Sequence, residues 1–69
     1  MYNWNVDIWL KSGVKLECNY PCNENNTLDV SNKIFSGKQF TDIVGLNRRE
    51  DRGNTYVVVG EIAAFDIYA

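Results

Sequence analysis

Apolar and polar residues alternate from Asn3 to Lys11 and again from Val14 to Tyr20. In the first run Trp4, Val6, Ile8 and Leu10 fall on one side, and Asn3, Asn5, Asp7, Trp9 and Lys11 on the other. In the second, Val14, Leu16, Cys18 and Tyr20 alternate with Lys15, Glu17 and Asn19. A period of two marks half-buried strands. The loop length follows from the register, because a slip of one residue would turn a whole apolar set into water. A two-residue Ser12-Gly13 loop would oppose Leu10 with Lys15. A three-residue loop, Lys11-Ser12-Gly13, opposes Leu10 with Val14, Ile8 with Leu16, Val6 with Cys18 and Trp4 with Tyr20. Only the second gives one apolar face, and it sets Gly13 where such a loop needs a left-handed residue.

Pro21 to Thr27 is dense in turn formers and reads as a loop. Leu28 to Gly37 reads as a short helix: Asn26 or Thr27 caps it, Asp29 sits in the first turn, and Gly37 is a C′ stop. Leu28, Ser31, Ile34 and Phe35 share one side, with Val30 beside Ile34, a stripe suited to lie on the hairpin's apolar face. Gln39–Leu46 is expected as a third strand, with Phe40, Asp42, Val44 and Leu46 on one side, Ile43 on the other and a bulge at Gly45. Thr55–Val59 reads as a fourth strand. Its three consecutive valines predict burial on both faces, either at the centre of a sheet or under an interface. After a break at Gly60-Glu61, Ile62–Tyr68 is a fifth strand. The result is one α+β domain over residues 1–69, a small antiparallel sheet of order ββαβββ with one helix on one face. The expected core is Trp4, Val6, Ile8, Leu10, Val14, Leu16, Leu28, Ile34, Phe35, Phe40, Val44, Val57, Val59, Ile62, Phe65 and Ile67.

A chain of 69 residues buries only about 60% of its unfolded surface, so its core asks for a supplement. Cys18 and Cys22 form a lone C-x3-C, and with no histidine in the chain they fall short of the four ligands of a structural zinc site. Met1-Tyr2-Asn3-Trp4 has no basic n-region and no apolar run follows it, so a cytoplasmic chain with reduced thiols is expected, in a bacterial host if phage-encoded. No apolar run reaches the roughly 18 residues of a membrane span. Self-association, as a dimer or tetramer, is the expected supplement, with no cofactor.

The net charge of −2 and pI near 4.8 argue against non-specific DNA binding, which needs many cationic contacts. All three arginines nevertheless lie in Arg48-Arg49-Glu50-Asp51-Arg52. Guanidinium groups suit phosphates through their bidentate fork, and the interleaved acids suit a self-neutralising solvated turn. Trp9 faces away from the apolar side opposite Lys15, either as a stacking platform or interface anchor or in cation-π packing with that lysine. Tyr56, Tyr2 and Tyr68 add aromatic surface. Asp7 and Glu17 oppose each other on the outer face. They read as two solvated acids near Lys15, as a carboxylate pair, or as half a cation site. Cys18 is expected inward as a small core residue, and Cys22 in a loop. Asparagine recurs at positions 3, 5, 19, 23, 25, 26, 32, 47 and 54, read as turn and surface residues. Catalytic patterns are missing: there is no histidine, no Gly-x-Ser-x-Gly and no phosphate-binding glycine loop.

The layout W-x-V-x-I-x-L-K-S-G, an Asn-rich loop with a Thr-x-Asp-Val helix start, Phe-Ser-Gly, and Val-Val-Val-Gly-Glu-Ile-Ala-Ala-Phe-Asp-Ile resembles short proteins of phages and low-GC Gram-positive bacteria. It is similar to the antagonists of host defence among them, including oligomeric sponges for the cyclic nucleotide signals of the CBASS and Thoeris systems. The resemblance implies a non-enzymatic immune-evasion protein that sequesters a cyclic or related nucleotide as a homo-oligomer. The ligand residues expected from the sequence are Arg48, Arg49, Arg52, Trp9 and Tyr56. The alternatives are a defence inhibitor acting by protein contact through Asp7, Glu17 and Glu24, and a small Sm-like β-rich RNA-binding oligomer.

Overall fold

The computed structural model describes residues 1–69 and is built outward from the first hairpin. Strand β1 (Tyr2–Leu10) pairs with β2 (Lys15–Cys22) in the expected register, with Trp4 opposite Tyr20, Val6 opposite Cys18 and Ile8 opposite Leu16. The three-residue loop is closed by Leu10 N–H donating to the Val14 carbonyl at 2.8 Å, and Gly13 adopts φ +93°. Helix α1 (Thr27–Phe35) follows, then β3 (Ile43–Arg48), β4 (Asn54–Val58), a 3-10 turn (Val59–Glu61) and β5 (Ile62–Tyr68). The strands form one antiparallel sheet in the order β4-β3-β2-β1-β5. The class is α+β, as expected.

The core lies between the sheet and α1, where Val6, Ile8, Cys18 and Val30 are fully enclosed and Trp4, Cys22, Ile34, Val44, Leu46 and Val57 are buried around them. Leu10, Leu16, Tyr20, Phe35, Val59, Ile62 and Ile67 pack at its margin.

Several boundaries and core positions differ from expectation. Pro21 and Cys22 belong to β2 rather than to a loop, because β1 begins at Tyr2 and pairs with Cys22, which is buried. Residues 39–42 form a turn instead of the start of β3. Gln39 N–H donates to the Asp42 carboxylate at 2.8 Å, Asp42 N–H returns to the Gln39 carbonyl, and Phe40 is left 80% exposed. The β3 strand runs on to Arg48. Its ladder with β4 passes through Gly45 opposite Tyr56 without a bulge, and the sheet's irregularity lies at Trp9/Leu10 on the β1–β5 side. The Val57–Val59 run is not buried on both faces within the chain: β4 is an edge strand, Val57 points into the core and Val58 is 40% exposed.

Helix α1 is capped by Asn26, whose side chain accepts from Asp29 N–H at 2.9 Å, and it ends as expected, with Ser36 as C-cap and Gly37 following it at φ +77°. At about 100° per residue, Val30 and Ile34 lie some 40° apart, while Leu28, Ser31 and Phe35 form a separate stripe. The sheet takes Val30 and Ile34. Leu28 is therefore 69% exposed, and Phe35 stacks at the sheet edge on Phe65, ring centroids 4.6 Å apart. Val14 and Phe65 are likewise exposed rather than core. No helix is long and apolar enough to cross a membrane.

Candidate functional site: the polar face of the sheet

The registers fix which side chains share the face opposite α1. One cross-strand row is Asp66, Asp7 and Glu17, contributed by β5, β1 and β2. The next runs Tyr68, Asn5, Asn19, Asn47 and Asn54 over all five strands. Four of the asparagines read as scattered surface residues thus form one line of amides. Asn19 alone among them is engaged, its Oδ1 accepting from Arg49 Nε at 3.2 Å. Continuing the β2–β3 register sets Pro21 opposite Gly45. With no N–H to give, Pro21 adds no rung, and the β2–β3 ladder is confined to Cys18–Arg48 and Asn19–Asn47.

Three carboxylates in a row would repel each other, and Arg49 resolves the conflict. It leaves the end of β3 and lies across the sheet, with Nη2 donating to Asp7 Oδ1 at 2.8 Å and to the Cys18 carbonyl at 3.0 Å, and Nη1 donating to Glu17 Oε2 at 3.3 Å. Tyr68 O–H donates to Asp7 Oδ2 at 3.0 Å, and Lys15 Nζ stands 3.9 Å from the same oxygen. Asp7 is only 6% exposed, so it is a buried, fully partnered anion and not a solvated one. Burial works against its charge, but hydrogen bonds from Arg49 and Tyr68 and the fields of Arg49 and Lys15 hold its pKa below the ordinary carboxylate value. Arg49 is opposed by its own burial, yet its bond to Asp7 holds its pKa above the usual value. A carboxylate so stabilised is a poor general base. Arg49 also fills the place a cation would take between Asp7 and Glu17, and no group of three His, Cys, Asp or Glu side chains is arranged to hold a metal.

The other sequence-derived site residues are dispersed. Arg48 Nε pairs with Asp51 at 2.8 Å and its Nη1 reaches the Asn54 carbonyl at 3.3 Å. Arg52 adopts φ +61° at the tip of the turn and pairs with no acid of the chain. Trp9 sits under Lys15, whose Nζ is 5.3 Å from the ring centroid. Tyr56 lies over Gly45 and is 70% exposed. Tyr56 is in the row of Asn3, six residues along β1 from Trp9 and three strands away from it.

What the fold does bring together is an open groove of about 450 Å³ lined by Asn3, Asn19, Pro21, Asn47, Arg48, Arg49 and Arg52. It combines three guanidinium groups with three amides, and Pro21 is its one apolar residue. A second groove of about 500 Å³ on the far side of the same turn is lined by Lys15, Leu16, Glu17, Cys18, Arg48, Arg49, Glu50 and Thr55. Sequence alone could not find the first groove, because it depends on the β2–β3 register. No protein-family model, curated protein or solved structure matches the chain.

Proposed function

We propose that the chain is a non-enzymatic binding protein that holds a phosphate-bearing nucleotide in the Arg/Asn groove and releases it unchanged. The ligand class is the cyclic or related nucleotide signals that phage sponges of the anti-CBASS and anti-Thoeris type sequester. The observation that carries this reading is Arg52, a guanidinium with no partner in the chain, at the rim of a groove lined by Asn3, Asn19 and Asn47. Arg48 and Arg49 are already held by carboxylates, so they contribute field and shape while Arg52 provides a fork for phosphate. Primary amides present a donor and an acceptor side by side, the complement of a base edge. Asp7, tied down by Arg49, offers no base for turnover.

A charge-assisted hydrogen bond contributes about 1.5–3 kcal/mol, so Arg52→Ala should weaken binding by roughly 10- to 100-fold. The test is a thermal-shift panel of cyclic di- and trinucleotides and ADP-ribose derivatives, followed by heat release and identification of what returns. A ligand at about a hundred times its dissociation constant should stabilise the fold by about 2.7 kcal/mol and come back intact. Conversion to a new product would make the protein an enzyme, and no shift with any member would remove the reading. Inhibition by protein contact would then take its place, supported by exposed Leu28 and Phe65 beside a shallow groove between α1 and β5.

A further inference from the structure

We propose that β4 is an interface for a second copy of this chain, paired antiparallel along β4 about a two-fold axis at Tyr56. The free backbone groups define the register. Val59 N–H donates to the Asp42 carbonyl and Arg48 N–H to the Gly53 carbonyl, bracketing the β3–β4 ladder. Antiparallel hydrogen-bonded pairs alternate, so Thr55 and Val57 bond to β3, and the N–H and C=O groups of Asn54, Tyr56 and Val58 point away from the sheet; the Asn54 carbonyl accepts from Arg48 Nη1 at 3.3 Å and keeps its second lone pair for a partner. An axis at Tyr56 sets Tyr56 against Tyr56, Asn54 against Val58 and Val58 against Asn54. It is the one register that uses all three outward residues of both copies.

Edge strands are normally protected by charge, proline, a bulge or a cover. The other edge, β5, carries Asp66 and meets an irregularity at Trp9/Leu10. The β4 strand, Asn-Thr-Tyr-Val-Val, has no charge, no proline and a regular ladder. On the polar face it adjoins an apolar patch in which Val58 pairs directly with Ile43 (59% exposed) and Tyr56 covers Gly45. Pairing two copies makes this patch continuous across the axis. The strand itself is neutral: Asp51 and Arg52 precede it, and Glu61 lies beyond it in the 3-10 turn. A self-complementary neutral strand fits a second copy better than any charged peptide.

Five-residue edges make a small interface, so a dimer with roughly micromolar dissociation is expected. Sedimentation velocity of the full chain from about 1 µM to about 500 µM, a range spanning such a constant, should show the mass rise from 7.9 kDa to twice that. Hydrogen exchange at the Tyr56 and Val58 amides should slow over the same range. Tyr56→Lys and Val58→Lys, both on exposed positions, should stay monomeric at the highest concentration with unchanged circular dichroism, while Ala64→Lys on β5 should dimerise as the parent does. A parent that stays monomeric throughout, folded lysine variants of β4 that still dimerise, or loss of the dimer in Ala64→Lys would each overturn the proposal.

Discussion

Arg49 shows how one side chain settles a conflict that the strand pattern creates. The hairpin register forces Asp7 opposite Glu17 and β5 adds Asp66 to the row, so the sheet would carry an uncompensated acidic line without a cation from elsewhere. Removing one partner of such a pair strands a buried charge. Because Arg49 keeps some solvent contact, we expect Arg49→Ala to cost about 2–3 kcal/mol, less than the full buried-pair penalty. For a chain of this size that corresponds to a melting temperature lower by roughly 8–24 °C, measurable by calorimetry. Acid should act through the same pair. With the folded pKa of Asp7 below its unfolded value of about 3.9, its contribution is present above that value and lost as pH falls through the folded pKa. Urea titrations should therefore show parent stability falling below about pH 4 more steeply than that of Asp7→Asn. The opposition of Asp7 and Glu17 was legible in the alternation of the first hairpin. Arg49 as its answer was not, since it lies 42 positions from Asp7 and its own neighbours, Glu50 and Asp51, offered nearer partners.

At the scale of elements, the helix and the third strand mark where local pattern stops deciding structure. Helix α1 carries two apolar stripes, Val30/Ile34 and Leu28/Phe35, and both are consistent with an amphipathic helix on a sheet. Asn26 and the end of β2 fix where the helix begins, and Trp4 Nε1–H, donating to the Glu24 carbonyl at 2.9 Å, fixes the loop that delivers it. The choice of stripe is thus made by a contact 20 positions away in sequence. Ile34→Ala should cost about 2–3 kcal/mol as a core truncation, whereas Leu28→Ala should stay within about 0.5 kcal/mol; equal losses would show that the sheet takes the other stripe. Gln39-Phe40 has the composition of a strand, but the Asp42 side chain offers Gln39 N–H a local acceptor, and a turn satisfied by its own side chain competes with a ladder. Cys22 follows a similar logic. Proline suggested a loop, yet β1 extends the ladder past Pro21 and carries Cys22 into the core. Cys18 and Cys22 lie four residues apart on one strand, about 13 Å, beyond disulfide reach. Burial pushes the Cys18 thiol pKa up. Both thiols should resist an aromatic disulfide reagent in the folded protein and titrate on unfolding.

The whole molecule divides into an apolar face closed by α1 and a polar face left open, and the proposed function belongs to the second. Its amide row became visible only when the ladders joined Asn5 to Asn19, Asn47 and Asn54. Along the chain these asparagines stand at unrelated positions and have the character of turn and surface residues. The arginines were recognisable as a cluster, but their division of labour, two neutralised and one free, follows from where β3 ends. The most direct test of the central claim is a titration of isotopically labelled protein with the nucleotide selected by the thermal-shift panel, following the side-chain amides of Asn3, Asn19 and Asn47 and the Arg52 Nε–H by NMR. The account predicts saturable shifts confined to these groups and their neighbours on the polar face, with the midpoint raised roughly 10- to 100-fold by Arg52→Ala and the fold intact. Shifts centred on Leu28, Phe65 and the helix side of the molecule, or saturable binding unchanged by Arg52→Ala, would contradict it.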